Sequence, residues 1–316
     1  MFGETRKTGI AVKIERKSLG GTLYKYRRLY ILLIPGVLHY ILFRYVPMAG
    51  LVMAFQKFTL YGSVFTNQWV GLANFKKIMA DPEFFRIIKN TFLLGISSLL
   101  WGLPIPIMFA ILLNELKVKR LKKIVQSVSF FPSLLSVVVV CSMAIDFLSP
   151  NSGVINRFIE TLGFDKHYFM IDPKWFRTIY ISTGVWQMFG YNAIIYFAAI
   201  SGISDELYDA ADIDGCGRFG KILHVTLPGL LPTICTMAIL NAGNMFRIGA
   251  DKVLLLYNPM TYETADIFGS FVYRKGIRES SYSFAAAAGM FESVVAFVMV
   301  ITANKLSKRF ADNSLW

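Results

Sequence analysis

The sequence predicts an all-α, polytopic membrane protein with six transmembrane helices, and three observations lead there. Apolar residues fill 55% of the 316 positions and charged residues only 17%, with a mean hydropathy of +0.50, more apolar surface than a soluble domain of this length can bury. Six separate runs reach the roughly 20 mostly apolar residues that a span requires. Lysine and arginine crowd beside alternate ends of those runs.

The runs lie at about 29–47, 91–113, 124–148, 178–200, 233–257 and 283–303. The first follows a basic tail, residues 1–28, carrying Arg6, Lys7, Lys13, Arg16, Lys17, Lys25, Arg27 and Arg28. It is too long for a secretory leader and lacks a small-residue cleavage signal, so it reads as a retained span. Pro35 and Gly36 interrupt the first run, Pro104 and Pro106 the second, and Gly243 and Gly249 the fifth, breaks that neighbouring helices tolerate by re-satisfying freed backbone groups. Lys117, Lys119, Arg120, Lys122 and Lys123 follow the second run, and Lys305, Lys308 and Arg309 follow the sixth. Basic residues near span ends stay in the cytoplasm, so both termini are expected there, in the cell membrane of a prokaryote. Residues 48–90, 149–177 and 258–282 then lie outside, with Trp69, Tyr168, Trp175, Tyr257 and Tyr262 as interfacial anchors. The resulting plan is a cytoplasmic tail (1–28), a membrane domain (29–303) containing a cytoplasmic loop (201–232), and a second cytoplasmic tail (304–316).

The basic excess, 33 residues against 20 acidic, sits in short blocks beside apolar runs. It points to the lipid bilayer as partner and away from nucleic acid. Cys141, Cys216 and Cys235 have no CxxC spacing, which implies neither a disulfide framework nor a zinc site. His39, His167 and His224 form no HExxH pattern, and no Ser-His-Asp or paired-carboxylate arrangement suggests an enzyme.

The most informative stretch joins the fourth and fifth runs. Ser204 can cap a helix whose first turn holds Asp205 and Glu206, both favourable against the helix dipole. Leu207, Ala210, Ala211 and Asp214 share one face, kept low by the two alanines, and Gly215 permits a sharp turn after it. A second short helix from Arg218 to about Val225 leads through Leu227 and Pro228 into the fifth span. A helix lying on the membrane would show large apolar and lysine-rich faces, whereas this one shows small residues and acids, suited to a protein surface. The run from Gly215 through Gly220 to Lys221 fits a P-loop except at Ile222, where Ser or Thr is needed to hold magnesium, and no strand precedes it.

These residues resemble the EAA loop of ABC importer permeases, whose pattern is Glu-Ala-Ala, three residues, Gly, nine residues, then Ile-x-Leu-Pro. This chain has Asp209, Ala210 and Ala211, then Gly215, then Val225, Thr226, Leu227 and Pro228 at the same spacing, with Asp for Glu and Val for Ile. The segments 71–75 (Gly-Leu-Ala-Asn-Phe), Asn90-Thr91, Leu113-Asn114, Asn258-Pro259 and Tyr273 to Gly276 extend the resemblance to sugar-importer permeases over nearly the whole chain. The ending, Asn304-Lys305 and Ser314 to Trp316, resembles the subgroup that takes up complex, including acidic, oligosaccharides. The resemblance implies a type I ABC importer permease whose loop inserts into a separate ATPase. Asp209, Ala210, Ala211, Gly215, Leu227 and Pro228 would be the coupling residues. It also implies a second, different permease chain, two ATPase subunits that carry the ATP and magnesium, an extracellular solute-binding protein and an oligosaccharide substrate. No cofactor is expected in this chain.

Polar groups inside spans are functional candidates. Asn241, Asn244 and Arg247 lie near one face of the fifth run; amides satisfy sugar hydroxyls in both directions, and a guanidinium favours a carboxylate. The fourth run offers Trp186, Gln187, Phe189, Gly190, Tyr191 and Asn192. The family places substrate contacts at positions matching Trp186, Phe189, Gly190, Asn241 and Asn244, while Tyr191 and Arg247 are candidates on their own chemistry. The same side chains could instead pack and hydrogen-bond between helices. An ion-coupled secondary transporter is the alternative reading; it should show an inverted repeat and acidic coupling residues, and neither is evident.

Overall fold

The computed structural model describes residues 25–59, 66–246 and 249–311, in two compact units, residues 1–52 and 53–316. The first unit contributes helix α1, Arg27–Tyr40, which runs on through a π-helical turn, Ile41–Tyr45, and Val46–Met48. The π turn comes just before Pro47, where a proline lacks its N–H and its ring clashes with the carbonyl four residues back. No residue of α1 is buried. Leu29, Leu32, Leu38 and Tyr40 are all exposed, and a helix apolar on every side calls for an apolar solvent.

The second unit opens with a two-stranded antiparallel ladder, β1 (Gln56–Lys57) and β2 (Gln68–Trp69), with Gln56 opposite Trp69. Helix α2 (Ala73–Ala80) is tied to it by the buried Asn74, whose Nδ2 donates to the carbonyls of Ala54 (2.8 Å) and Gln56 (3.0 Å). Helices α3 (Phe84–Gly102) and α4 (Pro104–Glu115) form one 32-residue segment, Phe84–Glu115. Pro104 and Pro106 fall in the first turn of α4, where missing N–H groups have no helical partner to lose.

Helices α5 (Lys119–Phe130) and α6 (Val137–Leu148) meet at a 97° bend. The bend is a 3₁₀ turn, Phe131–Leu134, holding Pro132, and Ser136 caps α6 by accepting from Val139 N. Gln187 reaches across to the break and donates to the Leu135 carbonyl at 2.9 Å, which satisfies a backbone group the bend sets free.

After the short α7 (Val154–Thr161), helix α8 (Pro173–Ile200) runs for 28 residues and forms the centre of the unit, packing on α3, α4 and α5. Asp172 caps it, accepting from Lys174 N at 2.9 Å. Its lower half shares a core with α4, formed by Ile107, Ala110, Ala193, Tyr196 and Ile200, with Leu230 of the following span.

The predicted fifth span, 233–257, is drawn differently. A continuous 27-residue helical segment covers Arg218–Asn244: α10 (Arg218–Lys221), a π turn (Ile222–Thr226) and α11 (Leu227–Asn244), after the loop helix α9 (Asp205–Ile213). Pro228 does not end the helix, because the π turn precedes it as one precedes Pro47. The apolar stretch from 250 onward is a separate helix, α12 (Ala250–Leu256). It is apolar because Val253 and Leu256 are buried against Leu94, Cys141, Phe176 and Tyr180.

Helices α13 (Tyr262–Ala265) and α14 (Phe268–Tyr273) form a strap, followed by α15 (Tyr282–Ala311), which packs on α11 and α2. Buried polar groups fasten the strap. Asn90 Nδ2 donates to the carbonyls of Glu263 and Asp266, Thr91 Oγ1 accepts from Phe268 N, and Asn258 Nδ2 donates to Met170 O. Asp266, with no exposed surface, is held by Ser270 Oγ at 2.8 Å and by Arg274 at 2.7 and 3.2 Å.

Among the described residues, Arg27–Phe55, Phe84–Glu115, Arg218–Asn244 and Tyr282–Arg309 are long and apolar enough to cross a membrane, and the α5–α6 pair makes a fifth segment if counted together. Helix α8, about 42 Å long at 1.5 Å per residue, is the remaining predicted span, with a middle interrupted by Gln187 and Asn192.

Candidate functional site

The loop between α8 and α11 folds as its sequence dictates. Ser204 Oγ accepts from Glu206 N at 3.3 Å, and Asp205 and Glu206 occupy the first turn of α9. At the far end Gly215 has φ +74°, its N–H reaches Asp212 O at 3.1 Å, and Cys216 N–H reaches Ala211 O at 2.8 Å. This pair of bonds is the Schellman stop, which needs a left-handed residue at the glycine position. The Asp212 carboxylate then pairs with Lys221 of α10, and Tyr208 OH shares a 3.0 Å hydrogen bond with Thr226 Oγ1 in the π turn. Helix α9 is therefore pinned at two points to the base of the segment that becomes α11.

The faces of α9 divide unequally. Asp209 and Ala210 are exposed, whereas Ala211 is buried, so only one of the two predicted alanines presents an open surface. Leu227 is half-buried and Pro228 exposed, both already within the spanning segment. Two residues that the motif does not include stand out: Ile213 and Phe219 are 88% and 80% exposed on either side of Gly215. Both are large apolar side chains left open to solvent in a polar loop, and their place near the turn glycine is the signal that could have found them.

A second feature is a cavity of about 350 Å³ between α3, α8 and the α11–α12 break. It brings together three of the predicted pathway residues, Phe189, Asn241 and Asn244. Phe189 is held edge-on to Phe109, ring centroids 5.1 Å apart. Asn241 Nδ2 donates to Met237 O of its own helix at 2.8 Å, leaving its carbonyl oxygen as the acceptor.

The other predicted residues go elsewhere. Gly190 is buried where α5 crosses α8: a Cβ there would stand 2.0 Å from the Ser129 carbonyl oxygen, so the missing side chain lets the two helices approach closely. Trp186 faces a separate groove with Val140 and Met143. Tyr191 is exposed beside Phe130. Arg247 lies outside the described residues. The cavity also takes in Gln187, Asn192 and Lys252, polar residues of the fourth and fifth runs, and adds Ser98 and Tyr180. Of these, Lys252 reaches the cavity from α12, a helix separate from α11. Among the described residues no cluster of three or more His, Cys, Asp or Glu is placed to hold a metal ion.

A family model described as "Binding-protein-dependent transport system inner membrane component" matches residues 78–312. The polygalacturonan/rhamnogalacturonan transport system permease protein YteP of Bacillus subtilis (strain 168) is 36% identical over 304 residues, covering 96% of this chain and 95% of that protein. A chain in the crystal structure of a bacterial ABC transporter involved in importing the acidic polysaccharide alginate superposes with a TM-score of 0.85 at 38% identity, covering 92% of this chain and 99% of that one. The bacterial alginate ABC transporter in complex with alginate pentasaccharide-bound periplasmic protein gives 0.86 at 37% identity, covering 94% and 99%. All three are parts of transport systems, and none supports the ion-coupled alternative. Family model, relative and solved structures agree: this chain belongs to the binding-protein-dependent transport system inner membrane components, the multi-pass permease subunits of multi-subunit ABC importers, in which ATP is hydrolysed on a separate ATPase subunit.

Proposed function

We propose that this chain forms one half of the translocation pathway for an oligosaccharide, acidic ones included, and that its α9–Gly215–α10 loop is the coupling element that docks on a cytoplasmic ATPase. The observation that carries the reading is the loop itself. Asp209, Ala210, Ile213 and Phe219 face outward, while the Asp212–Lys221 pair and the Tyr208–Thr226 bond fix α9 to the base of the fifth span. A push on the loop is then a push on the helix that ends in the cavity at Asn241 and Asn244.

In this reading both termini are cytoplasmic, the partner half is a second, different permease, and two ATPase subunits hold the ATP and magnesium. A solute-binding protein delivers the sugar from outside. Phe189 offers a ring face for an apolar sugar face, and Asn241 and Asn244 offer amides for hydroxyls. Arg247, six residues after Asn241, is proposed as a contact for a carboxylate. The names of the relatives, polygalacturonan and rhamnogalacturonan in one and alginate in two, support a carbohydrate that is acidic.

The test is reconstitution with the chains that co-purify. Gly215→Asp forces a side chain into a left-handed turn and Ala211→Arg places a charge at a buried position. Both variants are expected to insert and assemble yet to lose ATP-dependent oligosaccharide uptake. Normal uptake by both would overturn the coupling role.

A further inference from the structure

We infer that Lys252 is an anion-recognising residue of the cavity, a cation additional to the proposed Arg247 that meets the carboxylate of an acidic oligosaccharide as it passes through the space between α3, α8 and the α11–α12 break. The inference rests on the proposed carbohydrate substrate and adds the charge selection to it. Lys252 lines the cavity together with Asn241 and Asn244, and it is 8% exposed. Its Nζ donates to the Tyr180 carbonyl at 2.7 Å and lies 4.5 Å from the centre of the Tyr180 ring. One of three ammonium N–H groups is thereby used, and two remain for a ligand.

What the ammonium lacks is a counter-charge. Among the described residues every other lining side chain of the cavity is uncharged, and no carboxylate lies within 4.0 Å of Nζ. Asp251, the neighbouring acid in sequence, is exposed while Lys252 is buried. Cys141, buried in the same core as Tyr180 and Val253, is a thiol and supplies no fixed negative charge. A buried cation without a partner is costly. A neutral donor would hold the Tyr180 carbonyl, and so pin α12 to α8, without that cost. The charge is accounted for if its partner arrives with the cargo. Space is kept for it by Gly184 on α8, where a Cβ would stand 3.0 Å from Nζ.

The experiment uses the complete transporter in proteoliposomes with its binding protein. Uptake of a uronic-acid oligosaccharide is compared with that of the same oligosaccharide methyl-esterified, normalised to assembled complex. Lys252→Met is expected to lower uptake of the acidic probe about tenfold relative to the neutral one, the order of a single charge-assisted hydrogen bond. Gly184→Ala, which crowds the ammonium without removing it, should shift the same ratio in the same direction by a smaller factor. Because the binding protein is common to all three transporters, its own selectivity cancels in the comparison with the unmodified protein. Equal losses on both probes in both variants, as a purely structural lysine would give, overturn the assignment and leave the importer reading intact. Uptake of the neutral probe alone by the unmodified protein would do the same. Failure of the unmodified protein to carry either probe removes the proposed substrate and this inference with it.

Discussion

Asp266 is a carboxylate with no exposed surface, and its neighbours explain how it can be there. Arg274 grips both oxygens, at 2.7 and 3.2 Å, Ser270 donates to one of them, and Arg86 stands 3.7 Å away. Glu83 balances the second arginine, 2.7 Å from Arg86 and 3.4 Å from Arg274, so two acids and two bases form a neutral set. The Asp266 hydrogen bond, against the opposing effect of burial, holds the Arg274 guanidinium above its ordinary pKa. Removing one member of a buried pair strands the other. Arg274→Met is therefore expected to destabilise the protein by about 3 kcal/mol, read as a lowered melting temperature of the detergent-solubilised chain, and Asp266→Asn by less because it leaves no buried carboxylate.

At the scale of elements, the crossing of α5 over α8 depends on Gly190, since any Cβ would meet the Ser129 backbone. Gly190→Val should part the two helices and weaken the Gln187–Leu135 bond at the α5–α6 bend. The expected outcome is a markedly less stable protein whose bend region exchanges amide hydrogens faster, with the loop at α9 unaffected. This position shows what a sequence leaves open: Gly190 stands out in a run of aromatic and amide side chains, but a glycine that lines a path and a glycine that lets helices touch look alike without the partner helix. Asp209 to Pro228 was legible because its spacing is rigidly set by a cap, a turn glycine and a helix restart. The cavity was only half legible. Phe189, Asn241, Asn244 and Lys252 announce themselves as polar or aromatic residues within the predicted runs, whereas the division of the fifth run into α11 and the separate α12 that carries Lys252 does not show in the hydropathy.

For the whole molecule, the six apolar runs were plain in the sequence because lipid demands length and apolarity in every span, and the fifth was misplaced because a buried apolar helix, α12, continues its hydropathy. The proposed orientation is testable on the chain's own chemistry. Cys216 in the loop is half-exposed and Cys141 is buried, while Ser281 is exposed after the strap. In the permease freed of its ATPase, a membrane-impermeant maleimide is expected to reach Cys216 only in inverted vesicles and Ser281→Cys only in intact cells; the opposite pattern would reverse the assigned sides. The unbroken helix from Arg218 to Asn244 then has a mechanical meaning. At 1.5 Å per residue it is a lever arm of about 40 Å, gripped at one end by α9 and ending at the cavity amides. A tilt of only about 5° at the loop sweeps the far end through roughly 3 Å, the length of one hydrogen bond. If the cavity amides hold a sugar hydroxyl as proposed, the stroke that releases it requires no large rearrangement at the loop.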